Sequence, residues 1–282
     1  MTKKQTVQGR RAPFWGVLPA GGLVGVFFFL PLALLLWRSF SEPSLGLQNY
    51  TELLGDPTAK TILIRTFVVA FTITAATVLL GYPYAYVMTR VGPRARTLLM
   101  AIVLIAFWNS LLAKSFAWII ILQDSGPLND LLKALGLSPV HLLGTQAGVT
   151  LGMIQVLLPF AILPLYATML TIDRSLMPAA QGLGARRSVA FVKVYLPLTV
   201  PGIMAGSLLV FVLSLGFYIT PDLLGSPQNS LLSQLIGVHV QRLLDFPGAG
   251  ALGASLLVLT LVVIAVAARL ARGLYAVRAK DG

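Results

Sequence analysis

Long apolar runs separated by short polar stretches dominate this chain. A helix needs about 20 apolar residues to cross a hydrocarbon core of about 30 Å. Six runs meet that length: 14–37, 66–88, 97–122, 148–170, 200–220 and 250–270. The pattern predicts an all-α polytopic membrane protein, one domain over 1–282, with about six transmembrane helices. Residues 174–198, between the fourth and fifth runs, read differently. They are too polar to span, yet Ala179, Ala180, Leu183, Phe191, Val194 and Leu198 recur at roughly helical spacings. Gly184 stands between two short helical runs, where glycine can end one helix and let the chain turn into the next. Pro197 and Pro201 mark the return to the membrane. An amphipathic helix pair on one membrane face suggests a docking surface for a soluble partner.

The positions of the charges fix an orientation. One set of segments holds Lys3, Lys4, Arg10, Arg11, Arg90, Arg94, Arg96, Arg174, Arg186, Arg187, Lys193, Arg269, Arg272, Arg278 and Lys280. The opposite set holds Arg38, Lys60, Arg65, Lys133 and Arg242, with seven acids: Glu42, Glu52, Asp56, Asp124, Asp130, Asp222 and Asp245. The positive-inside rule then places both termini and residues 174–198 in the cytoplasm. The first apolar run follows basic residues as a signal peptide would. It is longer than a signal core and no small-residue cleavage site follows Trp37, so it is expected to stay as a span.

Composition narrows the chemistry. The chain is 57% hydrophobic and 11% charged. A net charge of +12 does not imply nucleic acid, because the basic residues sit at alternate ends of apolar runs rather than in a stripe interleaved with aromatics. Cysteine is absent, which removes disulfides and thiol chemistry. The two histidines, His141 and His239, fall in outer loops, and no metal centre is expected. No phosphate-binding glycine loop with its lysine is present, so ATP binding by this chain is not expected. A membrane enzyme would need a nucleophile with its base, or clustered histidines or carboxylates, and none is found.

Polar positions inside the runs are candidates for a pathway. Lys114 is the one charge deep in a predicted span. A central lysine costs about 2.5–3.5 kcal/mol, so it should face a partner or water. On a continuous helix Ser110, Lys114 and Trp118 would share a stripe. Lys114 either lines a pathway or is structural, pairing with a carbonyl or snorkelling outward. In the fifth run Ser207, Phe211, Ser214 and Tyr218 follow helical spacing, with Asp222 just beyond; in the fourth, Gln155, Pro159 and Tyr166 do so. Pro159 and Pro164 should kink that helix. Serine and glutamine are equally explained by helix–helix hydrogen bonds. Tyr218 and Asp222, near the outer mouth, could hold an ammonium group through a ring face and a carboxylate. Trp108 and Trp118 offer the same ring chemistry, or serve as interfacial anchors.

Residues 178–198 resemble the EAA loop of bacterial ABC-importer permeases: Glu-Ala-Ala, three residues, Gly, nine residues, an aliphatic residue, one residue, Leu-Pro. Ala179, Ala180, Gly184, Val194, Leu196 and Pro197 fall in register, while Pro178 replaces the leading Glu. Proline suits a first helical turn, but the carboxylate contact is lost. Residues 30–40, 81–86, 107–118 and 126–129 are similar to the PotB-type branch, which serves spermidine and putrescine importers. The resemblance implies a permease in the bacterial inner membrane, surrounded by lipid, that performs no chemistry itself. It implies two ATP-binding subunits carrying ATP and Mg, a PotC-like companion permease and a periplasmic solute-binding protein. It assigns ATPase coupling to Ala179, Ala180, Gly184, Ala185, Arg186 and Phe191, with the helix held by packing around Ala179, Ala180 and Phe191. The pathway candidates remain Ser110, Lys114, Trp118, Gln155, Tyr218 and Asp222. The expected solute is a small organic one, a polyamine or related amine or amino-acid derivative, although a lysine is an awkward lining for a polycation. The alternative is a stand-alone secondary transporter or channel for a small ion. It would need coupling-ion sites, yet no span holds an acid and no inverted repeat is visible.

Overall fold

The computed structural model describes residues 18–278; the expected start of the first span at 14–17 and the basic residues Lys3, Lys4, Arg10, Arg11 and Lys280 lie outside them. Among the described residues every regular element is helical. Five helices are long and apolar enough to cross a bilayer, and six crossings result if one bent pair counts as a crossing. These are α1 (Gly21–Ser41), α3 (Pro57–Arg90), the bent pair α4 (Pro93–Trp108) and α5 (Leu111–Leu122), α7 (Gln146–Leu170), α9 (Arg187–Leu215) and α12 (Phe246–Arg278). Shorter helices connect them: α2 (Gln48–Gly55), α6 (Pro127–Ala134), α8 (Leu176–Gly182), α10 (Ile219–Leu224) and α11 (Leu232–Val238).

The core is built around α7, which lies between α3 and α9. Met153, Leu157, Ala161, Ile162 and Leu165 of α7 are buried, as are Val69, Ile73 and Met88 of α3 and Val210 of α9. Such all-round burial fits the uniformly apolar sequence of α7. In lipid, helices gain little from apolar burial alone and associate through close packing. Gly202 and Gly206 supply it: a β-carbon on Gly202 would fall 2.7 Å from Thr168 Oγ1, and one on Gly206 3.2 Å from the Ala161 carbonyl oxygen. Helices α1 and α12 pack on each other at the flank.

Three expectations about the spans need correction. First, 97–122 is not one helix. The chain breaks at Asn109, whose backbone is extended, and bends by 95° between Pro93–Trp108 and Leu111–Ala134. Ser110 caps α5 by accepting from the Ala113 amide, so Ser110 does not share a stripe with Lys114 and Trp118. Second, the fifth span does not begin near residue 200. Residues 187–215 form one helix, with a π turn at Phe191–Tyr195. The wider turn lies just upstream of Pro197, whose ring would otherwise crowd the carbonyl four residues back. Third, that helix stops at Leu215, so Tyr218 and Asp222 are carried by the separate α10 region. Pro159 and Pro164 both lie inside α7, which remains a single helix from Gln146 to Leu170.

Candidate functional site

One end of the bundle carries an elbow made by α8 and the start of α9. Asp173 opens it: its carboxylate accepts from the Ser175 amide at 2.9 Å. The Ser175 amide, helped by its side chain, holds that carboxyl below the usual carboxylate range. Helix α8 ends in a Schellman turn. The Ala185 amide donates to the Ala180 carbonyl at 3.1 Å, and the Gly184 amide to the Gln181 carbonyl at 2.9 Å. Gly184 sits at φ +89°, in the left-handed region that favours glycine. Two orphan carbonyls are thereby satisfied and the chain reverses into α9 without a flexible linker.

The elbow is anchored differently from the expectation. Ala179 is exposed and Leu183 is 91% exposed, so neither packs inward. Only about two turns of α8 exist, and its buried stripe runs through Met177 and the half-buried Ala180. On the leaving limb Ala190 is 1% exposed and Tyr195 5% exposed. Phe191, half-buried, stacks on Tyr195 at 5.6 Å between ring centroids. Both meet Tyr86 of α3 edge-on, at 5.5 and 5.3 Å. Each such pair contributes about 0.5–1.5 kcal/mol beyond burial. Tyr86, Arg90, Met177 and Tyr195 were missed by sequence reasoning. The available signal was Tyr82 and Tyr86, four residues apart on one helix face. Arg186, Arg187, Val189 and Val192 remain exposed, so the outer face of the elbow is basic and apolar together.

At the opposite end, Tyr218 and Asp222 line one cavity of about 590 Å³ with Gln234, Gln241 and Arg242. The remaining pathway candidates are not part of its lining. Trp118 Nε1 donates to Gln155 Oε1 at 3.4 Å, joining α5 to α7. Ser115 Oγ is 3.3 Å from Thr220 Oγ1, joining α5 to α10. Lys114 Nζ donates to the Ala106 carbonyl at 2.7 Å. That carbonyl belongs to the last turn of α4, where the break has removed its helical partner. Lys114 therefore caps the negative end of a broken helix, the carbonyl pairing that was one of the readings the sequence offered.

Comparison with known proteins places these features. Residues 77–275 match the family described as "Binding-protein-dependent transport system inner membrane component". The chain is 33% identical over 236 residues to the spermidine/putrescine transport system permease protein PotB of Escherichia coli K12, covering 80% of this chain and 86% of that one. It is 34% identical over 222 residues to PotB of Haemophilus influenzae, covering 77% of each. The fold matches a chain of a bacterial alginate ABC transporter, solved in complex with an alginate-pentasaccharide-bound periplasmic protein. There the TM-score is 0.74 at 21% identity, over 92% of this chain and 93% of that one. An all-helical core around α7, a bundle long enough to cross a membrane and these matches lead to one assignment: this chain belongs to the family of inner-membrane components of binding-protein-dependent transport systems.

Proposed function

We propose that this chain forms part of the translocation pathway of an ATP-driven importer for a small organic amine, and that it is driven from the elbow by a separate ATPase. The observation that carries this reading is the elbow itself. A structured reversal at Gly184 exposes Leu183, Arg186 and Arg187 on its outer face, and its leaving limb is continuous with α9 down to Leu215. A force applied at the elbow acts on one end of a helix of 29 residues, about 40 Å long. The basic residues at this end, Arg90, Arg174, Arg186, Arg187 and Lys193, support a cytoplasmic location.

The partners proposed with it are two ATP-binding subunits holding ATP and Mg, a PotC-like companion permease completing the pathway, and a periplasmic protein delivering solute; the PotB relatives and the alginate ABC transporter solved with its periplasmic protein support partners of this kind. Ala179, Gly184, Ala185 and Arg186 belong to the docking face. Ala180 and Phe191 belong to its inward anchor. At the outer end Tyr218 offers a ring face and Asp222 a carboxylate to an ammonium group, with Arg242 steering the cation to their side of the cavity. PotB relatives named for spermidine and putrescine support the amine.

The test is reconstitution. Liposomes holding the chain with its companions should accumulate labelled putrescine or spermidine only while ATP is hydrolysed. Accumulation by this chain alone would contradict the proposal. An exposed ion pair contributes about 0.2–1 kcal/mol, so Asp222→Asn should raise the KM for amine uptake by at most about fivefold. An unchanged KM would remove Asp222 from the solute's route.

A further inference from the structure

Both limbs of the elbow are tied to the same turn of α3. On the entering limb the Arg174 guanidinium donates to the Thr89 carbonyl at 3.2 Å. On the leaving limb Phe191 and Tyr195 meet the Tyr86 ring. The Arg90 guanidinium lies over Tyr86 at 5.0 Å and over Tyr195 at 5.6 Å from the ring centroids. One cation is thus shared by a ring of α3 and a ring of α9. Arginine is always charged and its planar group stacks on aromatic faces, so this clamp does not depend on pH.

The clamp matters because of what surrounds it. Pro83 lies inside α3 just before this turn and removes a backbone donor there. One intrahelical bond is therefore missing just before the last turn of α3, and the side-chain contacts of Tyr86 and Arg90 add to what holds that turn. At its far end α3 reaches the outer cavity segment. Arg65 donates to the Gln228 carbonyl at 2.6 Å, and Thr66 Oγ1 accepts from the Leu232 amide at 2.9 Å.

We infer that residues 86–90 of α3 are a second seat for the elbow, and that Arg90 is the positioning residue that makes α3 move with α9. The inference rests on the coupling reading above and adds a route to it. A push at the elbow enters the bundle through two helices, directly along α9 and, through the shared cation, along α3 toward residues 228–232.

The experiment uses the whole transporter in liposomes and reads solute imported per ATP hydrolysed. Co-purification of the ATPase and the melting temperature are measured on the same samples. Arg90→Ala should keep the ATPase bound and hydrolysing, with import per ATP reduced roughly fivefold as two cation–π contacts are lost. Arg90→Lys, which keeps a cation near the rings but not the planar stacking, should recover part of it. Tyr86→Leu gives a second handle should Arg90→Ala express poorly, and the double variant should lose less than the sum of the two single losses, because both singles already remove the Arg90–Tyr86 contact. Unchanged import per ATP in Arg90→Ala, or equal loss in Arg90→Lys, overturns the inference. Loss of ATPase binding in Arg90→Ala also overturns it, by placing Arg90 in the docking face. If even the unaltered chain fails to bring down an ATPase, the coupling reading itself falls.

Discussion

At the scale of single residues, Gly184 and Lys114 each fix a chain direction by local chemistry. A β-carbon at Gly184 would touch nothing within 4 Å, so only the backbone objects to a side chain there. A left-handed L-residue costs roughly 1–2 kcal/mol. Gly184→Ala should therefore leave membrane insertion intact and speed amide exchange at Gly184 and Ala185 by about tenfold, whereas Asn, which tolerates this conformation, should do so less. Equal exchange in all three proteins would show that the turn is held by something else. Lys114 is committed to the Ala106 carbonyl. A charge-assisted hydrogen bond contributes about 1.5–3 kcal/mol, close to the cost of placing a lysine in a span. These terms nearly offset, but Lys114→Met also leaves the Ala106 carbonyl without its partner, at about 1–3 kcal/mol, so the variant should melt lower while the KM for solute stays within about twofold. A larger KM change would return Lys114 to the pathway. The carbonyl that Lys114 takes was not legible in advance, because the apolar run 97–122 holds no glycine or proline to announce a break. Asn109-Ser110, a helix-capping pair, was the available signal.

At the scale of elements, the spans were legible and their joints were not. Hydropathy locates apolar length, which is why all six runs overlap helices or the bent pair. It is blind to whether a helix continues into polar sequence. Pro197 and Pro201 read as the start of a new helix, while the structure runs helical from Arg187 through both, using a π turn to make room. The continuity is open to test. Lys193→Pro should interrupt the rod, at a cost of about 3 kcal/mol for an interior proline, and abolish uptake while ATP hydrolysis persists. Retained uptake would show that an unbroken rod is not required. The start of α12 offers a pH test. Burial pushes the Asp245 carboxyl up, but the Gly248 amide, the hydrogen bond with His239 and the His239 charge outweigh it and hold the group below its ordinary value. A depressed carboxyl stabilises the fold above the unfolded value, about 3.9, and the contribution is lost as pH falls through the folded value. The melting temperature should drop more steeply between roughly pH 5 and pH 3 in the native chain than in Asp245→Asn. Parallel curves would detach Asp245 from acid stability.

At the scale of the whole molecule, the helices form a frame with different chemistry at each end. One end is basic and carries the elbow; the other holds the cavity with Tyr218 and Asp222. The sequence placed the elbow's glycine and its two helical arms, because capping and periodicity are local signals. It misplaced the elbow's inward face, putting Ala179 and Leu183 there, because two helical turns are too short for periodicity to mark which side is buried. The pathway candidates also divide. Tyr218 and Asp222 share a cavity, whereas Trp118 and Gln155 hold α5 to α7. The most direct test of the central claim uses the absence of native cysteine. A single Leu183→Cys, at the exposed tip of the elbow, should cross-link to a co-expressed ATPase subunit, with a yield that changes when ATP binds. Failure to form that adduct, together with labelling of the same cysteine by an impermeant reagent from outside intact cells, would contradict the account.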